Sequence, residues 1–343
     1  MTRFIRILTV VVLLLLHIDS ISGGSVNSIG ESRSDSESDK YDLPSDNDKY
    51  DHPSDKTRRK LSHEDKVMRK GRWNVTVADG WTNGQYLFVH IPKSGGSSFL
   101  TASSQYIPIG SRLHGNREFS VNKTPGPRIN MVIVLRQPRE HVLSQYLECK
   151  YDWWGKTATK GTNFPGNNDK NQVYDGLEKW LDHFLDEKMG AKMDAYKYAY
   201  KCYNPWNMQA RYISTDNDHV VHDMKILRPS INTTISSLKS VGFVGITEYS
   251  DETICLFQHF MAGKVSPACT CDPEAHKLYV HNKQIYKTHG VPKHSVQDLS
   301  PEVLKKIDAL TEVDNQIYEF ALKKFLAYKE FVERKLNTSF TCS

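Results

Sequence analysis

Two short and almost continuous apolar runs constrain the fold of this chain more than any other feature. They are QYLFVHI at residues 85–91 and INMVIVL at residues 129–135. Apolar runs of this length are typical of strands that are buried on both faces, as the strands of a parallel sheet are. The run VGFVGI at residues 241–246 is a third candidate strand, although glycine interrupts it.

Helical patterns alternate with these runs. Apolar residues within 177–185 recur at the spacing of an amphipathic helix. A later helix is predicted to begin at Ser300 and Pro301, which suit the N-cap and the first helical position, and its apolar stripe continues to Phe320. Residues 152–172 are predicted to form a long surface loop. The alternation predicts an α/β fold with a central, mostly parallel sheet flanked by helices.

The N-terminal part of the chain differs from the rest. Arg3 and Arg6 precede the apolar segment 7–16, which is shorter than the roughly 20 residues that a membrane-spanning helix needs. This layout predicts a signal peptide at residues 1–24, with a short signal-anchor as the alternative. Residues 25–72 are polar and repeat DKYDLPSD as DKYDHPSD, which predicts a disordered stalk. The folded domain is therefore predicted to span residues 73–343.

The composition limits the partners and the compartment. The formal net charge of +5 is mildly basic, so acidic partners are permitted but a nucleic-acid-binding chain is not indicated. Six cysteines form an even set, which predicts disulfides in the secretory pathway, and four N-glycosylation sequons agree with that compartment. The sequons begin at Asn74, Asn122, Asn232 and Asn337. The CTC sequence near His276 lacks the ligand spacing of a zinc site, so no metal is predicted.

The stretch HIPKSGGSSF at residues 90–99 follows the first predicted strand and leads into a helix. Gly95 and Gly96 let the backbone approach a ligand, and the N–H groups that follow them can cradle an anion at the helix N-terminus. Lys93 adds a positive charge, and further donors come from the hydroxyls of Ser94, Ser97 and Ser98. A glycine turn that only joins the strand to the helix is the alternative. A nucleoside-triphosphatase loop is excluded, because its lysine follows the glycines.

A second anion-binding feature follows the second predicted strand. In RQPREHVLS, Arg136 stands at the end of the strand, Pro138 at the start of a helix, and Ser144 about two turns further on. The planar guanidinium of Arg136 suits a phosphate, and Ser144 can donate beside it. Because ligands of α/β sheets bind outside the carboxyl ends of strands, these two strand ends predict one ligand with two separated phosphates.

Together, the two motifs resemble the donor site of sulfotransferases, K-[ST]-G-G-[ST]-[ST] followed by R-x-P-x-x-x-x-x-S. From about residue 85 to residue 325 the chain is similar to the Golgi carbohydrate sulfotransferases, nearest the heparan sulfate and uronyl O-sulfotransferase group. The segments NMQARYI (207–213), FVGITEYSDETI (243–254) and LTEVDNQIYEFAL (310–322) resemble later landmarks of that family. The resemblance implies a P-loop-like sulfotransferase fold and 3′-phosphoadenosine 5′-phosphosulfate (PAPS) as the sulfuryl donor.

The resemblance also implies roles for the motif residues. The backbone and hydroxyls of residues 94–98 would cradle the 5′-phosphosulfate, while Lys93 would stabilise the charge that develops on the bridging oxygen. Arg136 and Ser144 would hold the 3′-phosphate. The family often has arginine where this chain has His141, so the 3′-phosphate contact would be weaker or sensitive to pH.

The acceptor side is less well defined by the sequence. His114 lies where the heparan sulfate enzymes carry their catalytic histidine, so it is the predicted base for the acceptor hydroxyl, with Glu118 as the alternative. The basic stretch 281–295 would close over the nucleotide or bind a polyanionic glycan, unless it is a solvated loop. Three tryptophans, Trp153, Trp154 and Trp206, are candidates for stacking on sugar rings or for core packing.

The predicted function is therefore PAPS-dependent O-sulfation of a glycan hydroxyl. The predicted location is either the Golgi lumen, where residues 1–24 would anchor the protein in the membrane, or the exterior of the cell, to which it would be secreted. The glycan acceptor and PAPS are the predicted partners, and nucleic acid is not one. Two alternatives remain open, a lumenal nucleotide-dependent phosphotransferase and a non-catalytic glycan-binding protein. The former would bind ATP with Mg²⁺ in preference to PAPS, and the latter would release no bisphosphate product.

Overall fold

The computed structural model of the protein describes residues 85–104, 106–107, 111–115, 121, 130–167, 172–186, 200–214, 228–270 and 291–340. Several predictions concern parts of the chain outside these residues. They are the signal segment 1–24, the stalk 25–72, the sequons at Asn74 and Asn122, the alternative base Glu118, and residues 281–290 of the basic stretch.

Four parallel strands form the sheet in the order β2-β1-β3-β4. They are β1 (Gln85–Phe88), β2 (Arg112–Gly115), β3 (Met131–Leu135) and β4 (Phe243–Ile246). Every residue of β3 and β4 is buried, as expected for strands that are covered on both faces. The predicted α/β architecture with a parallel sheet is confirmed, and each of the three apolar runs contains a strand.

The register of the sheet brings the carboxyl ends of the strands together. Leu87 of β1 pairs with His114 of β2 and with Met131 of β3. Val132 of β3 pairs with Phe243 of β4. Because all four strands run in the same direction, the chain leaves β1, β3 and β4 at the same edge of the sheet. This edge carries the loop after β1, Arg136 after β3, and Thr247 after β4.

Helices flank the sheet. In the described part of the chain they are α1 (Gly96–Ser104), α2 (Pro138–Tyr151), α3 (Trp153–Ala158), α4 (Leu177–Leu185), α5 (Met208–Ser214), α6 (Ile231–Ser240), α7 (Ser250–Ala262), α8 (Pro301–Leu310) and α9 (Glu312–Leu336). The predicted amphipathic helix is α4, whose apolar residues are buried against the core. Helix α2 begins at Pro138, as predicted, and the side chain of Gln137 caps it by accepting from the Glu140 N–H at 2.9 Å.

The predicted long C-terminal helix is instead two helices, α8 and α9, which are separated at Thr311. The prediction was wrong because a residue distant in the sequence caps the second helix. The side-chain oxygen of Asn207 accepts hydrogen bonds from the N–H groups of Val313 at 2.8 Å and Asp314 at 3.3 Å. Those N–H groups would otherwise lack partners at the start of a helix, so Asn207 stabilises a helix start that the local apolar pattern does not reveal.

The predicted surface loop at residues 152–172 is structured over most of its described length. The carboxylate of Asp152 accepts from the Trp154 N–H at 2.7 Å and caps α3. Further on, Phe164 and Pro165 are buried, and the Phe164 ring lies 5.7 Å from that of Tyr146. The loop prediction was wrong here because two isolated apolar anchors do not produce a periodic pattern.

Two disulfides join cysteines in the described residues, Cys149 to Cys202 and Cys255 to Cys269. The prediction of disulfides is confirmed for these pairs, and they indicate an oxidising environment, extracellular or lumenal. The remaining cysteines, Cys271 and Cys342, lie outside the described residues. Within those residues, no helix has both the length and the apolar character that crossing a bilayer requires.

Candidate functional site

The loop between β1 and α1 has an unusual backbone conformation. Lys93 adopts a φ of 66° and Gly95 a φ of 74°, values that residues with a Cβ atom rarely adopt. At Gly96 the reason for glycine is packing, because a Cβ atom there would lie 2.6 Å from Cδ2 of His90. The loop therefore holds Lys93 in a strained conformation at the strand end, which is a frequent property of functional sites.

Thr247 attaches this loop to the neighbouring strand ends. Its hydroxyl lies 2.7 Å from the carbonyl oxygen of Ser94 and 3.0 Å from that of Leu135, the last residue of β3. Since one hydroxyl has a single proton, it is shared between the two carbonyl groups. Thr247 belongs to the FVGITEYSDETI segment, and it fixes the loop at the edge of the sheet.

Arg136 makes direct contact with the same loop. Its Nη1 donates to the carbonyl oxygen of Lys93 at 3.1 Å, and its Nη2 lies 3.5 Å from the carboxylate of Glu140. The side chain is 19% exposed. Burial lowers the pKa of Arg136, and the carboxylates of Glu140 and Glu248 oppose that effect. The two strand ends identified from the sequence therefore meet, and Arg136 retains donors that could bind a ligand.

The backbone of Arg136 is supported by the side chain of Gln209 on α5. Gln209 accepts from the Arg136 N–H at 2.9 Å and donates to the Arg136 carbonyl at 2.8 Å. The carboxyl group of Asp314 in turn accepts from the N–H groups of Gln209 at 3.2 Å and Ala210 at 2.7 Å. Burial raises the pKa of Asp314 to about 7, although these hydrogen bonds oppose the shift. The NMQARYI and LTEVDNQIYEFAL segments thus support the strand end that carries Arg136.

A cleft of about 270 Å³ opens at this edge of the sheet. Most of the predicted donor-site residues line it, namely Lys93, Gly95, Gly96, Ser97, Ser98, Arg136 and Ser144. From the basic stretch, Val291 and His294 also line the cleft. The structure therefore brings the two sequence motifs together in one cavity, as two separate anion-binding strand ends would require.

Ser94 faces a second, smaller cavity of about 130 Å³, which shares Gly95 and Ser98 with the cleft. The walls of this cavity are mostly apolar and include Phe99, Val134, Ile246 and Ile254. Ser94 is 1% exposed, and its hydroxyl has no hydrogen-bond partner. A buried hydroxyl without a partner is uncommon in proteins, so this atom is a candidate for binding a ligand.

His114, the predicted base, lies in β2, where its backbone pairs with Leu87 of β1. The strand was not predicted, because RLHG carries no apolar run. Position 114 is close to the carboxyl end of β2, at the edge of the sheet that bears the cleft. The side chain of His114 lies outside what the structure describes.

His141 does not line the cleft. It is fully buried, with Nε2 2.7 Å from the carbonyl oxygen of Pro92 and Nδ1 3.1 Å from Nε2 of Gln145. The carbonyl must accept and the amide must donate, so the ring is neutral and carries its proton on Nε2. Burial lowers the pKa of His141 to about 3. The structure therefore does not support a pH-sensitive phosphate contact, and instead assigns His141 to holding the loop before Lys93.

His90 packs within the site. Its ring lies 6.1 Å from that of Phe88, and its Cδ2 approaches Gly96. Burial lowers the pKa of His90; Glu148 opposes this shift and Lys93 adds to it. Trp206, a candidate for sugar stacking, is 8% exposed and donates from Nε1 to the carbonyl of Phe184 at 2.7 Å. It is a core residue, so of the two alternatives for Trp206 the structure bears out core packing.

Sequence reasoning missed Glu148. Its Oε2 lies 3.0 Å from Nζ of Lys93 and accepts from the hydroxyl of Tyr203 at 3.0 Å. Lys93 and Glu148 are 15% and 12% exposed, and both line the cleft. Glu148 lies one helical turn after Ser144 on α2, so the helical spacing could have placed it on the same face. Nothing in the sequence indicated its contact with Tyr203.

No family model matches this chain, and a comparison with curated proteins found no match. The cleft combines an ammonium group, a guanidinium group, several hydroxyls and the N-terminal end of a helix. These groups suit a ligand with two anionic ends, beside an apolar cavity that suits a flat apolar ring.

Proposed function

We propose that the protein is a PAPS-dependent O-sulfotransferase that transfers a sulfuryl group to a hydroxyl of a glycan. One observation carries the proposal: a single cleft is lined by Lys93, residues 95–98, Arg136 and Ser144. PAPS has a phosphosulfate on its 5′ side and a phosphate on its 3′ side, so it needs two such groups of donors. The resemblance of both motifs to the sulfotransferase donor site supports the same conclusion, and it implies a P-loop-like sulfotransferase fold.

The 5′-phosphosulfate would bind to the loop and to the start of α1. This helix has nine residues, and the free N–H groups of its first turn favour an anion. Ser97 and Ser98 add hydroxyl donors from the cleft, and Lys93 adds a charge. The 3′-phosphate would bind to Arg136 and Ser144. The apolar cavity beside the loop would take the adenine ring, and the buried Ser94 hydroxyl could donate to the ligand there.

In the proposed reaction, the acceptor oxygen attacks the sulfur in line with the bridging oxygen. A bond forms between the acceptor oxygen and sulfur, while the bond between sulfur and the bridging oxygen breaks. The electron pair goes to the phosphate of adenosine 3′,5′-bisphosphate, where Lys93 stabilises the charge. The acceptor proton goes to a base, for which His114 remains the proposed residue. The products are a sulfate ester, the bisphosphate and a proton.

The proposed compartment is the Golgi lumen or the exterior of the cell. The two disulfides fit either compartment. The exposed sequon asparagines Asn232 and Asn337 are accessible for glycosylation there. Residues 1–24 would supply the anchor or the signal.

The first experiment measures which nucleotide binds. Adenosine 3′,5′-bisphosphate and PAPS should raise the melting temperature of the protein, because a ligand that binds the native state stabilises it. ATP with Mg²⁺ should have a smaller effect at the same concentration. A larger shift with ATP and Mg²⁺ would favour the phosphotransferase alternative instead.

The second experiment tests catalysis with Lys93→Ala. Loss of the ammonium group at the bridging oxygen should lower the rate of labelled sulfate transfer by about a hundredfold to a thousandfold, which is the usual effect of removing one preorganised donor from the developing charge. The variant should still be stabilised by the bisphosphate, which shows that it is folded. Wild-type activity in a folded variant would refute the mechanism.

A further inference from the structure

Glu148 presents an electrostatic problem in the proposed donor cleft. A carboxylate that lines a cleft for a polyanion repels that ligand. Glu148 nevertheless lies 3.0 Å from Nζ of Lys93, the group assigned to the point of transfer. The donor roles assigned above do not use Glu148. A role on the acceptor side of the transfer point would explain why a carboxylate stands there.

An aromatic surface continues from Glu148 to solvent. Tyr203, which donates to Glu148, has its ring centre 5.2 Å from that of Trp154. Trp154 is 43% exposed, and the adjacent Trp153 is 78% exposed. In the described part of the chain, the exposed large hydrophobic side chains are these two tryptophans and Leu326. Exposed apolar surface next to a cleft is a common property of ligand-binding sites.

Two constraints hold this surface in place. The disulfide between Cys149 and Cys202 joins the residue after Glu148 to the residue before Tyr203. Asp152 caps the short helix α3 at the N–H of Trp154. The relative position of Glu148, Tyr203 and Trp154 is therefore fixed by a covalent bond and by a helix cap, as expected for a preorganised site.

We propose that Glu148, Tyr203, Trp154 and Trp153 form the acceptor subsite, and that it selects a sugar unit without an acidic group beside the reacting hydroxyl. The inference rests on the proposed function, because it places the acceptor next to Lys93. Indole rings offer flat apolar surface to the C–H face of a sugar ring. Glu148 accepts a hydrogen bond from a sugar hydroxyl, and it repels a carboxylate or sulfate at the same place. The subsite thus favours a neutral hexose or hexosamine unit over a uronate.

The stacking role is tested with Trp154→Ala and Trp153→Ala. Each variant should raise the KM for the acceptor, by about tenfold for Trp154, because a stacking contact of this kind contributes on the order of one factor of ten in affinity. The dissociation constant of adenosine 3′,5′-bisphosphate should not change. Leu326→Ala is the matched control, since it removes an exposed apolar side chain from α9. An unchanged acceptor KM in Trp154→Ala would overturn the assignment.

The selective role is tested with matched acceptors. The probes are chondroitin and heparosan hexasaccharides and their carboxyl-reduced forms, in which neutral hexose replaces each uronate. The wild-type protein with bound bisphosphate should bind the reduced forms about tenfold more tightly, as measured by calorimetry. With PAPS as the donor, it should also sulfate the reduced forms with a kcat/KM about tenfold higher. Glu148→Gln keeps the shape of the side chain and an oxygen that accepts from the Tyr203 hydroxyl, but it removes the negative charge. The preference for the reduced forms over the uronate forms should therefore fall towards a ratio of one. Glu330→Gln, at a 71% exposed side chain on α9, is the control.

The outcomes separate the two proposals. If the bisphosphate does not stabilise the wild-type protein, the proposed function fails. If the bisphosphate binds but the wild-type protein binds the uronate forms equally or better, or binds neither form, the acceptor-subsite inference alone is overturned. A ratio that Glu148→Gln leaves unchanged also overturns it, because the discrimination would then come from another group.

Discussion

Arg136→Ala should weaken the binding of the bisphosphate far more than the binding of adenosine 5′-monophosphate. In the structure, the guanidinium is 19% exposed, lines the cleft, and is oriented by its bond to the Lys93 carbonyl at 3.1 Å. Such a preorganised group can bind the 3′-phosphate through two charge-assisted hydrogen bonds. The monophosphate has no 3′-phosphate, so it serves as the reference ligand.

The expected magnitude follows from these bonds. A hydrogen bond to a charged group contributes about 1.5 kcal/mol or more, so two of them contribute about 3 kcal/mol. This corresponds to a loss of affinity of roughly a hundredfold for the bisphosphate. The variant also loses the bond to the Lys93 carbonyl, which disturbs the loop for both ligands equally. The ratio of the two affinity losses therefore isolates the contact with the 3′-phosphate.

Isothermal titration of both ligands, at one fixed ionic strength, measures this ratio. Arg334→Ala is the control, because that guanidinium is 71% exposed and pairs only loosely with Glu330 at 3.8 Å. It should leave both affinities unchanged. Equal losses for the bisphosphate and the monophosphate in Arg136→Ala would refute the assignment, because Arg136 would then act on the loop rather than on the 3′-phosphate.

The remaining predictions concern the loop, the buried carboxyl group and the disulfide. Gly95→Ala and Gly161→Ala both place a Cβ at a positive φ, so each should cost about 1 kcal/mol of stability. Only Gly95→Ala should weaken bisphosphate binding in titration, because its Cβ would lie 3.2 Å from Thr247 at the cleft loop. The pKa of Asp314 is raised to about 7 in the folded state, so between about pH 4 and 7 the folded state binds a proton that the unfolded state does not bind. The contribution of this group to stability is therefore lost as the pH rises through that window. Asp314→Asn should remove that contribution, so the difference in urea-unfolding free energy between wild type and variant should change with pH by up to about 1.4 kcal/mol per unit; a difference independent of pH would contradict it. Replacing Cys149 and Cys202 by serine opens a cross-link between residues 53 apart and should lower the free energy of unfolding by about 4 kcal/mol. This loss should exceed that from opening the cross-link between Cys255 and Cys269, which are 14 apart. Equal losses in chemical unfolding would show that loop length does not govern the effect.

Local patterns in the sequence were sufficient for much of the fold and for the groups of the cleft. Three apolar runs predicted β1, β3 and β4, since strands buried on both faces require uniformly apolar residues. The helix of residues 177–185 and the start of α2 at Pro138 follow from spacing and from capping chemistry. Lys93, the glycines after it, and Arg136 could be identified because strand, loop and helix succeed one another directly in the chain.

The tertiary structure decided which of these groups meet. The bonds of Arg136 to Lys93 and of Tyr203 to Glu148 join residues that are 43 and 55 apart in sequence. The cap that separates α8 from α9 joins Asn207 to residues more than 100 positions away. Short-range periodicity carries no information on such contacts, because they depend on strand order and on helix packing. For the same reason, burial removed His141 from the cleft, whereas packing and a disulfide brought Tyr203 into it beside Glu148.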